Sequence, residues 1–401
     1  MTASHFKRTK FACYTAYFTM SSIFCLPPLL FVTFHEMYGV SWTLLGTLVL
    51  TNFCTQLTVD LIFTVCSKKF NIPKVVRVMP LITALGLSVY AIFPMLFPNL
   101  AYVGLLIGTV IFSISAGLSE VLLSPTIAAI PSKNPQRDMS LLHSLYAFGV
   151  FSVVVIGTLF IKIAGAEHWM YLTLFFAALP ILAAVLFMLS PMPDMSESES
   201  TAVSQKSRRR TLGIALCVGC IFLGSCAENV MSNWISSFME AELQIDKTVG
   251  DILGMAMFAI LLGITRISYA KWGKNICKML LVGMIGAAVC YLVAGLSPYT
   301  LPAFVACILT GVFTSMLWPG TLIMMEEKIP GVGVAAFALM AAGGDLGASV
   351  APQLLGVIAD RSGLQTGMLV CSIFPILGIG LMLVILRFFK AKAPVEELAN
   401  E

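Results

Sequence analysis

PMPDMSESESTAVSQKSRRR, residues 191–210, is the only long polar stretch in the chain, and its prolines, serines and mixed charge break any helical reading. Working outward, six long apolar runs precede it, at roughly residues 11–33, 41–66, 73–95, 100–130, 139–164 and 168–190. Six more follow, at roughly 210–238, 247–270, 276–296, 299–327, 333–360 and 366–390. Each is long enough to cross a bilayer, for which about 20 apolar residues suffice. The expected fold is an all-α membrane protein with twelve transmembrane helices in two six-helix halves. The halves are residues 1–190 and 211–401, joined by the linker 191–210.

The Lys and Arg residues sort by this span count. Numbered alternately from the N-terminal tail, one set of connections holds twenty of the 24, among them Lys7, Arg8, Lys10, Lys68, Lys69, Lys74, Arg77, Lys133, Arg137, Arg208, Arg209, Arg210, Lys328 and Lys390. The other set holds Lys162, Lys247 and Arg361, and Arg266 alone is left inside a span. Basic residues stay on the cytoplasmic side, so a multi-pass protein of the cell membrane is expected, with both termini in the cytoplasm.

Composition agrees. A chain of 401 residues with 58% hydrophobic and 11% charged residues and mean hydropathy +0.93 is unlike a soluble domain, whose charged fraction is about a quarter. The net charge of +4 comes mostly from the connections that set orientation, so no nucleic-acid partner is implied. No small-residue cleavage site follows the first apolar run, so that span is expected to stay in the mature protein. The eleven cysteines are scattered through the spans as small packing residues, the Cys217 and Cys220 pair included; neither a disulfide framework nor a metal or cofactor is expected.

Charges inside spans carry the functional signal, because each costs about 2.5–3.5 kcal/mol at the bilayer centre unless it meets a partner, a cavity or a proton. Asp60, Glu120, Glu228, Asp345 and Arg266 are such residues. Glu120 stands in a helix otherwise apolar from Val103 onward, so it reads either as a proton-exchanging carboxyl or as one hydrogen-bonded to a neighbouring helix. Asn52, Gln56 and Asp60 recur at i, i+4 and i+8, forming one polar stripe that lines water or substrate. Asp60 also lies near the cytoplasmic end, where pairing with Lys68 or Arg137 in a structural gate is the other reading. Glu228, Asn229, Ser232, Asn233, Trp234 and Ser236 form a polar, aromatic-bearing segment suited either to a hydroxylated ligand or to interhelical bonding. Asp345 lies in the small-residue run AAGGDLGASVAP, with Arg266 or a proton as its expected partner; Arg266 otherwise snorkels. His143 and Tyr146 share a helix face, as cavity or packing residues. Trp42, Trp169 and Trp272, at span ends, read as interface anchors, while Trp234 and Trp318 lie deeper, as stacking or core groups.

The two halves also echo each other. GLSEVLLSP at 117–125 in span four and GVFTSMLWP at 311–319 in span ten both place Gly eight residues before Pro. Internal repeats with a site between them at mid-membrane are the plan of many transporters.

With its six spans, basic linker and six spans, the chain resembles the major facilitator superfamily over essentially its whole length. GLSEVLLSP, MSLLHSLYAFG at 139–149, AENVMSNWISSFM at 227–239, SMLWPGT at 315–321 and APQLLGVIADRSG at 351–363 are similar to the fucose-permease-like branch of sugar and proton symporters. The loop between spans two and three, CSKKFNIPK at 66–74, departs from the superfamily's glycine, Asp-Arg and Gly-Arg pattern, and the first span lacks the branch's carboxylate. The resemblance implies a major facilitator fold, with Glu120 as a proton-coupling or ligand-binding carboxylate and Trp234, His143 and Asn233 facing a central cavity.

The expected function is secondary active transport by alternating access: proton-coupled symport of a sugar or other small polar metabolite. Expected proton-coupling residues are Glu120, Asp345 and Asp60. Expected substrate contacts are Asn52, Gln56, His143, Tyr146, Glu228, Asn229, Asn233, Trp234, Arg266 and Trp318. Export of amphipathic or drug-like compounds and sodium-coupled uptake are the alternatives. The sequence carries no HExxH, nucleophile elbow or phosphate loop, so no enzyme is expected. A monomer in the lipid bilayer is expected to suffice.

Overall fold

The computed structural model describes residues 6–66, 70–132, 135–193, 208–272, 275–329 and 334–390. Among these residues nine helices are long and apolar enough to cross a membrane. The bent pair Lys7–Leu29 and Phe31–Tyr38 forms another. Leu339–Lys390, 52 residues long, serves as two because Gly363 breaks it at φ 84°. Pro135–Ala164 supplies the fifth span through its apolar part Phe148–Ala164. That order fits the twelve expected spans.

Proline and glycine place the breaks. Pro27 and Pro28 lack the N–H groups a continuing helix needs, and the first span bends by 46° just beyond them. Span ten runs as Thr300–Thr314 and Leu317–Lys328, and Pro319 cannot donate to the carbonyl of Ser315 four residues earlier. Span seven, Arg208–Ser237, ends in a π-helical segment Phe238–Glu242, and span eight opens with another, Gly250–Ala256, before Met257–Trp272. Such segments are rare and concentrate at functional sites.

Glycines set the close approaches. A Cβ at Gly117 would lie 3.0 Å from Val59 of span two (Trp42–Cys66), and one at Gly311 would lie 2.4 Å from the Phe258 carbonyl oxygen of span eight. The weak repeat seen in the sequence thus places span four on span two, and span ten on span eight, by the same device.

The first span begins beside the end of the sixth, and the seventh begins beside the end of the twelfth. Thr9 donates to the Pro191 carbonyl at 2.5 Å after span six, and Arg209 at the start of span seven donates to the Phe388 carbonyl near the end of span twelve at 3.3 Å. One buried apolar cluster runs through both sets of six spans and includes Phe31, Val40, Trp234 and Met255. A second, built on Phe6, Ala12, Cys13, Val76, Met79, Leu122 and Phe187, belongs to the first six spans alone. Exposed Phe148, Phe151, Ile156, Leu159 and Ile163 form an apolar stripe along span five suited to lipid.

Two tryptophans differ from expectation. Trp169 is fully buried, 4.8 Å from Phe34 and packed on Tyr38 and Tyr90, so it is core rather than an interface anchor. Trp42 stacks on His35 at 4.2 Å and meets Trp234 at 6.0 Å. The side chain of Trp272 lies outside the described residues.

A Cβ at Gly347 would sit 2.4 Å from the Phe222 carbonyl oxygen, whereas Gly380 has nothing within 4 Å. Gly347→Ala is expected to cost about 1–3 kcal/mol by overpacking, and Gly380→Ala to be neutral or stabilising by up to about 1 kcal/mol. Thermal unfolding in detergent compares the two, and equal midpoints would refute the packing assignment.

Candidate solute and proton site

The site is built around Arg266 of span eight. Pro319 leaves the Ser315 carbonyl without its helical donor, and Arg266 Nε fills that vacancy at 2.8 Å. Arg266 Nη2 reaches Oε1 and Oε2 of Glu228 on span seven at 3.1 and 3.4 Å. The expected pairing of Arg266 with Asp345 is therefore replaced by Arg266 with Glu228, because span seven lies beside the guanidinium. The pair is open, with side chains 38% and 19% exposed. Tyr17 of the first span and Tyr146 of the fifth face it from the other set of six, within electrostatic reach of Arg266. Their rings meet edge to face at 6.5 Å, and Phe24 and Phe53 extend the aromatic wall.

Three carboxyl groups converge from different spans. Asp345 of span eleven is buried and interacts electrostatically with Glu120 of span four and Asp60 of span two. The Glu120 side chain is exposed although its helix is packed on both sides of it. Tyr17 is within electrostatic reach of both Glu120 and Arg266, so the carboxyl group and the ion pair lie in one neighbourhood. The small-residue run around Asp345 permits this convergence: Gly344 lies under the Trp318 ring, where a Cβ would be 2.2 Å from it.

The remaining expected contacts divide. Asn52 and Gln56 are buried, and Asn52 Oδ1 accepts from Gln56 at 3.0 Å and from Ser113 of span four at 2.6 Å. Their polarity is thus spent tying span two to span four, although Asn52 and Asn233 also line a small enclosed cavity beside Phe24 and Pro28. Asn229 bonds back to Ser225 at 3.1 Å, and Asn233 to the Asn229 carbonyl at 2.8 Å. Trp234 is fully buried and donates to the Pro352 carbonyl at 3.1 Å, so in this conformation it packs in the seam between the sets of six and is closed to a solute. Trp318 is partly buried against Gly344. The His143 side chain, like Lys68 and the Arg137 side chain proposed as Asp60 partners, lies outside the described residues.

Comparison with known proteins follows this geometry. The sequence profile of the Major Facilitator Superfamily matches residues 217–401. The structure resembles that of a D-xylose-proton symporter over 96% of this chain and 99% of that one, with TM-score 0.79 and 16% identity. Residues 217–401 thus match the Major Facilitator Superfamily, and the chain as a whole has the fold of the xylose symporter. Its structure is also similar to a bacterial homologue of the human lysosomal transporter Spinster (TM-score 0.75, 12% identity, 96% and 98% covered) and to the E. coli fucose:proton symporter (0.63, 14%, 97% and 100%). At these identities the likeness establishes the fold. No curated protein sequence matches the chain.

The two sets of six are joined at the end where span two begins and span eleven ends, where the hydrogen bonds linking them among the described residues are found. Asp360 of span eleven accepts from the backbone N–H groups of Trp42 and Thr43, each at 2.7 Å, capping span two across the seam. Lys247 Nζ bonds the Leu29 carbonyl at the bend of the first span at 3.1 Å and Glu240 at 2.9 Å, and lies 3.5 Å from Asp251. Asp251 is 1% exposed and accepts from Ser236 and from Thr158 of span five. The π-helical segments carry both carboxylates. Sequence reading passed over this network, although Lys247 is one of three cations on the sparsely charged side and Asp251 follows it at i+4.

Lys247→Met leaves Asp251 buried without its counter-charge, an imbalance expected to cost the sealed arrangement about 3–5 kcal/mol. In a Leu30→Cys background, whose position is fully buried beside the bend, labelling by a membrane-impermeant maleimide should rise severalfold. Unchanged labelling would show that the network does not hold the seal.

Proposed function

We propose that this protein is a secondary active transporter that takes up a small polar solute with protons by alternating access. In this reading residues 1–190 and 211–401 tilt about a vestibule between them. The Lys and Arg distribution supports a cell-membrane protein with both termini cytoplasmic, which makes the sealed end the outer one and the present state inward-open. A single chain contains every group the cycle uses.

Glu120 carries the reading. Its side chain is exposed and joined to Asp60 and Asp345 in a group that spans both halves, so its protonation can sense whether the halves are together. The xylose and fucose neighbours are proton symporters, which supports proton coupling and a polar solute here. The driving force suffices, since one charge crossing 100 mV supplies about 2.3 kcal/mol, roughly a 50-fold gradient.

Proteoliposomes with an imposed inward proton gradient should accumulate the solute, and Glu120→Gln should abolish gradient-driven accumulation while leaving counterflow exchange measurable. Accumulation that follows pH unchanged in the variant removes Glu120 from coupling. Accumulation that follows a sodium gradient and ignores pH transfers coupling to sodium.

A further inference from the structure

We propose that the transported solute carries a carboxylate, and that Arg266 receives it, with Glu228 occupying its place in the empty carrier. The proposal rests on the vestibule being the solute site and names the chemistry that site selects.

The geometry of the guanidinium points there. Its Nε is fixed by the Ser315 carbonyl, a partner supplied by the break before Pro319, so the planar fork is held in one orientation. Its Nη2 donates to the two Glu228 oxygens, and among the described residues Nη1 donates no hydrogen bond. An oriented guanidinium with an uncommitted edge matches a carboxylate, which it binds through two parallel hydrogen bonds.

Exposure distinguishes this pair from a structural one. The Lys247 and Asp251 pair in the same molecule is 16% and 1% exposed and is enclosed by Ser236, Thr158 and Leu29. Arg266 and Glu228, at 38% and 19%, are more open, and Tyr17 and Tyr146 face them. Arg266 also lies within span eight, and a neutral solute gives no reason to bear the cost of placing it there.

Charge balance follows. When the solute carboxylate takes the place of the Glu228 carboxylate on Arg266, the displaced Glu228 accepts the proton that enters with the solute. One positive and one negative group remain, and a neutral sum crosses the membrane with the solute. The titratable groups facing this exchange are Tyr17 of the first span, Tyr146 of the fifth and, beyond Tyr17, Glu120 of the fourth.

The test uses the full chain in detergent and needs no gradient. Thermal shifts are measured with matched acid and neutral compounds: D-glucuronate with D-glucose, D-galacturonate with D-galactose, and L-lactate with propane-1,2-diol. In at least one pair the acid should bind tenfold or more tightly. Arg266→Gln should remove that preference, Arg266→Lys should keep part of it, and Glu228→Gln should bind the acid at least as tightly as the unaltered chain because no internal carboxylate competes. If Arg266→Gln does not fold, the Glu228→Gln result decides. The proposal is overturned if no acid exceeds its neutral partner, if the preference survives Arg266→Gln, or if Glu228→Gln weakens acid binding. An acid preference without gradient-driven accumulation keeps the site and removes the coupling reading. Proton-driven uptake of a neutral compound with no acid preference does the reverse.

Discussion

A charge carried to the middle of a lipid barrier must be answered by the protein around it, and this requirement organises the structure. The chain meets it in three ways. Lys247, Glu240 and Asp251 form a walled network that ties the two sets of spans together at one end. Arg266 and Glu228 form a pair left open to water. Asp60, Glu120 and Asp345 lie within electrostatic reach of one another across the seam. A pair that is sealed stabilises a conformation, while groups that stay in contact with water are free to exchange a proton or a ligand.

Helix breaks supply the second half of each answer. Arg266 is held by the carbonyl that Pro319 leaves free in span ten, and Lys247 by the Leu29 carbonyl at the bend of the first span. In hydrocarbon an unbonded carbonyl is costly, so a break becomes stable when a cation occupies it. Each cation is therefore positioned by a break in a different span: one break orients the guanidinium of Arg266, and the other holds Lys247 where the two sets of six are joined. The π-helical turns at Phe238–Glu242 and Gly250–Ala256 bring Glu240 and Asp251 into range of the same lysine.

Closure at one end and openness at the other come from how the apolar cores are divided. The continuous cluster through Phe31, Trp234 and Met255 welds the sets of six at the far end, and Asp360 adds a cap across that weld. Nearer the termini the first six spans have a core of their own, so the sets can part there without exposing it. This arrangement joins the two sets of six at one end and gives the first six separate packing at the other.

The apolar periodicity, the polar linker at 191–210 and the placement of Lys and Arg were enough to determine the fold class and the span order, because a bilayer allows few ways to satisfy a backbone. The charged residues inside spans were legible for the same reason, since their cost marks them regardless of neighbours. Their partners were not legible. Arg266 meets Glu228 instead of Asp345, Trp234 and Trp169 are packed away from any ligand or interface, and Asn52 and Gln56 serve a helix contact. Lys247 and Asp251 gave no sign in the sequence of joining across a seam. Which face of a span looks inward and which charge it meets there depends on the rotation and tilt of helices far apart in sequence. Those are set by side-chain packing, and only the assembled bundle decides them.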